Sequence, residues 1–209
     1  MKKLLFLLGL VVSMTAVAAP PAEGPRKEAV LEGKYLRILA SAPDFANEGT
    51  DSLNNKGVGK GMAYGVSEWF VQFAAPLAEE RTGAMYSVRL SESANGKPVP
   101  DAKWHAEYLI KTEGLDPAKA TQIQAPSVPW SDAKVVALRA EGVAFDNPKT
   151  GKEVVYAIGV SFPDGKAAYA MSGKVLTPIA AFDADPEKVD KRSRNVLGNF
   201  WKNSKVERK

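Results

Sequence analysis

The part of this sequence richest in glycine lies at residues 56–65 and precedes a predicted helix. A glycine loop at a helix N-terminus can bind phosphate through its backbone N–H groups. A nucleotide-binding loop follows a buried strand, whereas polar residues 51–55 come before this one, and the chain has no G-x-x-x-x-G-K-[ST] sequence. We therefore interpret residues 46–61 as a polar loop whose Lys60, with Tyr64 just after it, is a candidate ligand contact.

Three short sequences match parts of the penicillin-binding serine enzymes. They are S-x-x-K at residues 131–134, S-x-N at 52–54 and K-T-G at 149–151. The S-x-N part comes first in the chain, and only about 15 residues separate the other two. This order and spacing do not fit such an enzyme, and the K-T-G sequence falls in a predicted hairpin turn.

Other catalytic and metal-binding groups are scarce. His105 is the one histidine, cysteine is absent, and no G-x-S-x-G sequence occurs, which argues against a Ser-His hydrolase and against Cys/His metal sites. The acids Asp183, Asp185, Glu187 and Asp190 lack the spacing and glycine of a calcium loop. We expect no catalytic residue, metal or cofactor, and a surface or half-buried His105 without a function.

Any functional site must be positioned by helices and strands, and the first predicted strand runs from about Ala29 to residue 39. Apolar side chains at i, i+4, i+7, i+8, i+11 and i+15 predict a core helix over residues 62–77, with Trp69 on its buried face. Residues 84–93 alternate as a half-buried strand. Residues 102–112 fit a strand or a helix capped by Asp101; the helix is slightly favoured, and residues 115–130 should be mostly connection.

The second half of the chain predicts an antiparallel meander of three strands over residues 134–145, 153–162 and 166–176. Turn sequences at residues 146–151 and 163–165 join them. The middle strand places Tyr156 on a face of large side chains and Gly159 on a face of small ones, where a helix could approach. An amphipathic basic helix, capped by Asp185 and running to about residue 204, should dock on the sheet through an apolar face.

These elements predict an α+β fold with an antiparallel sheet packed against two or three helices. We expect a single domain over residues 29–209, after a flexible leader at 19–28 that is rich in proline and charge.

Residues 1–18 have the features of a cleavable secretory signal. Lys2 and Lys3 precede an apolar run of about 11 residues and an A-x-A site ending at Ala18. The run is shorter than the roughly 20 residues that a membrane span needs. We expect a bacterial periplasmic or secreted protein without a stable membrane anchor. Because nucleic acid is not the usual partner in these compartments, we expect no nucleic-acid partner.

Charge is unevenly distributed in the predicted mature chain. From Lys191 to the C-terminus there are seven basic residues and one acid, so this stretch carries +6. Such a segment can attract an anionic partner, although a solvated helix face explains it as well.

Three functions remain for a chain with these features. The first is a non-catalytic accessory protein that binds an envelope or extracellular protein, as an inhibitor or immunity factor does. The alternative is a carrier of a small molecule or glycan, with a cleft between sheet and helix that would use Lys60, Tyr64, Trp69 and Tyr156. A cofactor-independent hydrolase is the third.

Overall fold

A six-stranded antiparallel sheet forms the centre of the fold in the computed structural model, which describes residues 26–43, 66–75, 83–94, 96–143 and 151–209. Its strand order is β3-β4-β8-β7-β6-β5, and a second, three-stranded sheet has the order β1-β2-β9. The strands are β1 (Arg26–Glu32), β2 (Leu36–Pro43), β3 (Val66–Ala75), β4 (Gly83–Ser93), β5 (Thr121–Ile123), β6 (Lys134–Val143), β7 (Gly151–Ser161), β8 (Ala167–Pro178) and β9 (Lys205–Arg208). The helices are α1 (Ala102–Thr112), α2 (Ile179–Ala184) and α3 (Pro186–Asn203), with a short 3-10 turn at Pro117–Lys119.

The two faces of the large sheet are covered differently. Helix α1 packs on one face against β6, β7 and β8, where Leu109 and Ile110 are fully buried. Helix α3 and the small sheet cover the other face, and the main core lies there, with Ile38, Tyr169 and Phe200 among its side chains. The chain therefore has the predicted α+β fold.

The predicted meander is confirmed as β6, β7 and β8, and each pair is antiparallel. The small-residue face of β7 lies against α1, since a Cβ on Gly159 would overlap the backbone of Ala102. The prediction that small residues allow a helix to approach is thus confirmed. The sequence also favoured helix over strand at 102–112, and α1 begins there with the Asp101 carboxylate accepting from the Trp104 N–H at 2.9 Å.

The helix predicted over residues 62–77 is wrong for its described part. Residues 66–75 form strand β3, which pairs with β4 along its full length, from Val66 opposite Ser93 to Ala75 opposite Ala84. A dense apolar run fits both the helical and the strand period. Aromatic and β-branched residues such as Phe70 favour strands, and the ladder with β4 satisfies the backbone.

The N-terminal boundary of order also differs from the prediction. Strand β1 begins at Arg26, so the last three residues of the predicted leader belong to a sheet. The single strand expected at residues 29–39 is a hairpin of β1 and β2. At its turn, three backbone N–H groups donate to the buried Glu92 carboxylate: Lys34 at 2.6 Å, Tyr35 at 2.8 Å and Leu36 at 2.9 Å. Residues 1–25, which include the predicted signal, lie outside the described residues.

The C-terminal residues form a strand that the sequence did not predict. After α3, β9 pairs with β2, with Val206 opposite Ile38. In the described part of the chain, no helix has the length and apolar character needed to cross a membrane.

Candidate ligand-binding groove

A groove of about 830 Å³ lies between α3 and the segment that follows β5. Its floor is the large-residue face of the meander, with Ala137, Tyr156 and Ile158. Helix α3 forms one wall with Arg194, Leu197, Gly198 and Trp201, and residues 123–127 form the other. The groove thus has an apolar floor and one polar end.

Helix α3 is held against the sheet by local and long-range contacts. Its N-terminus is capped by Asp185, whose carboxylate accepts from the Lys188 N–H at 2.9 Å. Phe200 is fully buried and its ring lies 5.3 Å from that of Tyr86. A Cβ on Gly173 of β8 would lie 2.7 Å from the Leu197 backbone nitrogen, so the helix rests directly on the strand. The groove wall is therefore rigidly placed.

At its polar end, the groove is lined by Tyr156 and Arg194, which belong to a hydrogen-bond network around Asp190. The Tyr156 hydroxyl lies 2.8 and 2.9 Å from the two carboxylate oxygens of Asp190. Arg139 donates to the same carboxylate, and Arg194 Nη2 lies 3.1 Å from it. These partners fix the Tyr156 ring at the floor.

Burial and charge set the protonation states in this network. Burial alone raises the pKa of Asp190, but hydrogen bonds from Arg139 and Tyr156 and the two arginine charges lower it overall. Burial raises the pKa of Tyr156 above its ordinary value, so its hydroxyl stays protonated and donates to Asp190. The network consequently offers charged groups and hydrogen-bond donors, which suits binding better than nucleophilic chemistry.

The far end of the groove is bounded by Trp201. Its ring is stacked on Tyr169, with centroids 6.1 Å apart and planes at 21°. A second cavity of about 180 Å³ lies beyond it and shares Ser127 and Trp201 with the groove. Its other lining residues are mainly apolar: Val128, Pro129, Trp130, Tyr169, Met171, Ser204 and Val206.

Of the four residues predicted to contact a ligand, Tyr156 lines this groove. Trp69 lies on β3, which β4 and β8 separate from the Tyr156 strand β7. At about 4.8 Å per strand, the backbones of β3 and β7 are about 14 Å apart. Lys60 and Tyr64 lie outside the described residues.

The prediction of a surface or half-buried His105 is wrong. The residue is fully buried under α1, and neither ring nitrogen has a hydrogen-bond partner among the described residues. Burial, together with the nearby positive charge of Arg89, lowers the pKa of His105 to about 4. Helix formation at residues 102–112 explains the difference, because a helix turns His105 towards the sheet.

Three of the four acidic residues considered for a calcium loop have structural partners. Asp183 pairs with Lys152 at 2.5 Å, while Asp185 caps α3 and Asp190 belongs to the groove network. No group of His, Cys, Asp and Glu in the described ranges is arranged to hold a metal ion.

A buried ion cluster lies beneath the C-terminal end of α1. Lys174 Nζ lies 2.6 Å from a Glu113 oxygen and 3.1 Å from a Glu153 oxygen, and all three side chains are buried. Burial lowers the pKa of Lys174, but the two carboxylates raise it overall, so the lysine keeps its proton. The cluster links α1 to β7 and β8 and lies apart from the groove.

Sequence analysis missed most of the groove walls. From the sequence, residues 123–127 are a connection, and Trp201 belongs to the apolar face with which the last helix packs on the sheet. Gly198 carried a usable signal, because an isolated glycine within a helical pattern lowers helix stability and calls for a packing or functional reason.

Comparison with protein-family models, with curated proteins and with solved structures returns no match, so the groove is interpreted from its own geometry.

Proposed function

We propose that the protein is an exported, non-catalytic binding protein and that it carries a small molecule in the groove beside α3. The observation that carries this proposal is the concave apolar floor formed by Tyr156 and Ile158 under the Trp201 wall. Ligand pockets typically combine such an apolar lining with a few fixed polar groups, in volumes of roughly 300 to 1,000 Å³. Two members of the Asp190 network line the groove and supply its polar groups, the Tyr156 hydroxyl and the Arg194 guanidinium.

The export part of the proposal rests on the sequence alone. The basic start, apolar run and A-x-A site of residues 1–18 favour secretion to the periplasm or the medium.

A plugged groove tests the proposal. Gly198 lies on the groove wall, and a Cβ added there meets nothing within 4 Å, so Gly198→Trp should fill the groove without straining the helix. Tagged wild type and variant are captured from the protein's own cells, and the bound small molecules are identified by mass spectrometry. We expect a compound on the wild type that the variant lacks.

Asn195→Trp is the matched control, because Asn195 is an exposed residue of the same helix outside the groove lining. It should retain the compound. A wild type that carries no compound, or a Gly198→Trp variant that carries the same ones, would contradict the carrier function.

A protein partner is the second candidate, and one surface feature favours it. Trp104 is 40% exposed and stacks on Tyr108 with ring centroids 5.1 Å apart. The Arg89 guanidinium lies 3.6 Å from the Tyr108 ring centroid on the inner side. Trp, Tyr and Arg are the residues most enriched at binding hot spots. A stoichiometric protein captured by wild type and by Lys111→Ala, but not by Trp104→Ala, would favour this function.

A further inference from the structure

We infer that the ligand of the groove is an unbranched aliphatic carboxylate, whose head group lies at Arg194 and whose chain runs past Gly198 towards Trp201. The inference rests on the proposed carrier function and names its ligand class. Three features of the groove lead to it.

The first feature is the helix glycine. A glycine in a helix interior costs about 1 kcal/mol relative to alanine. No close contact in the described structure requires Gly198, since a Cβ there would meet nothing within 4 Å. The missing side chain instead widens the groove at the middle of its α3 wall, where a slender chain can lie against the helix backbone.

The second feature is charge. Helix α3 carries five basic and two acidic residues, a net charge of +3, and Arg194 is the basic residue among them that lines the groove. At the groove, Asp190 already accepts hydrogen bonds from Arg139 and Tyr156. Arg194 is 69% exposed, so its cation can turn to an incoming anion while Asp190 keeps two partners. Glu141 pairs with Arg139 at 2.6 Å, so the two arginines balance the charges of Asp190 and Glu141, and the exposed Arg194 donor itself recognises the head group.

The third feature is the shape of the apolar part. From Arg194 to Trp201 the wall spans seven residues, about 10 Å along the helix axis. Beyond Trp201 the smaller apolar cavity continues the path, and the two share Ser127 and Trp201. Two cavities that meet at one side chain suit a flexible chain better than a rigid fused-ring ligand.

Calorimetric titration of the delipidated protein with dodecanoate, octanoate and dodecanol tests this ligand class. We expect one dodecanoate site, with weaker binding of octanoate because the shorter chain does not reach the second cavity. Arg194→Gln should weaken dodecanoate binding about tenfold, since it removes a charge-assisted hydrogen bond, and should leave dodecanol binding unchanged. Gly198→Trp should abolish binding of all three compounds, and Asn195→Trp should bind as the wild type does.

The outcomes separate the ligand class from the carrier function. If dodecanol binds as tightly as dodecanoate, or if Arg194→Gln binds dodecanoate as the wild type does, the carboxylate inference is wrong although the groove still binds ligands. If dodecanoate does not bind but another compound co-purifies with wild type and not with Gly198→Trp, the ligand class is again wrong and the carrier function stands. If no probe binds and no compound depends on Gly198, both fail.

Discussion

Gly159 of β7 lies directly beneath the first turn of α1, so close that a Cβ on it would overlap the Ala102 carbonyl oxygen and lie 3.1 Å from the Ala106 nitrogen. The Ala102 N–H donates to the Ser161 hydroxyl on the same strand at 3.0 Å. Strand and helix are thus joined by backbone contact and by a hydrogen bond. Gly173 has the same relation to α3 on the opposite face, so both helices approach the sheet at glycines.

Gly159→Ala should destabilise the protein strongly. The new methyl group meets backbone atoms that cannot move aside unless α1 shifts, and we expect a cost at the upper end of the about 1 to 3 kcal/mol that is typical of overpacking. Chemical denaturation monitored by circular dichroism measures the loss. The control is Gly198→Ala, which meets nothing within 4 Å and should stabilise the protein by about 0.5 to 1 kcal/mol. Equal effects of the two substitutions would contradict the close packing of α1 on β7.

Lys174→Met should also be strongly destabilising. It removes the buried cation that contacts the carboxylates of Glu113 and Glu153, and breaking a buried ion pair in this way costs about 3 to 5 kcal/mol. Lys152→Met removes the cation of the more exposed pair with Asp183 and should cost at most about 1 kcal/mol. Thermal unfolding of both variants provides the measurement, and a Lys174→Met midpoint close to that of wild type would show that the cluster is not buried.

Stability should fall as the pH drops from 7 to 5 because of His105. Its folded pKa of about 4 lies below the ordinary value of 6.5, so between these values the unfolded chain binds more protons than the folded protein. The free energy of unfolding therefore decreases with falling pH, by about 2 kcal/mol at pH 5 for this one group.

The variant His105→Gln isolates that contribution. It removes the titrating group, and denaturation curves recorded at pH 7, 6 and 5 should then show a much smaller pH dependence than in wild type. The carboxylates with lowered pKa, Asp190 and Glu32, lose their stabilising effect only below this pH window. An identical pH profile for wild type and variant would mean that His105 is not buried as a neutral group.

Phe200 and Trp201 are neighbours on α3 with different expected roles. Phe200 is fully buried, so Phe200→Ala should cost about 3 to 5 kcal/mol of stability. Trp201 is partly exposed and lines the groove, so Trp201→Ala should cost less stability and more ligand affinity. Thermal unfolding together with dodecanoate titration distinguishes the two. A Phe200→Ala midpoint equal to that of wild type would refute the docking of α3.

Local sequence patterns predict a structural element correctly where contacts between residues close in the chain determine it. The meander followed from alternation and turn residues, and α3 from its Asp185 cap, Pro186 and apolar spacing. The small residues of β7 predicted the close approach of a helix, and Tyr156 was identified among large side chains on the opposite face. In each case the signal lies within a few residues of the feature it specifies.

Other features depended on contacts between distant parts of the chain. Residues 66–75 satisfied the helical period, yet a ten-residue ladder with β4 makes them a strand, because pairing stabilises a backbone that local propensity leaves undecided. Likewise, strand β9 at the C-terminus exists through its register with β2.

The sequence by itself therefore determined the α+β class, the meander, the capped last helix and the large-residue face that carries Tyr156. Only the tertiary structure decided the groove, because its floor, its α3 wall and its opposite wall come from segments far apart in the chain. The ion cluster at Lys174 was decided in the same way. Burial and charge pairing arise from packing across the sheet, and no local spacing of residues encodes which side chains will meet there.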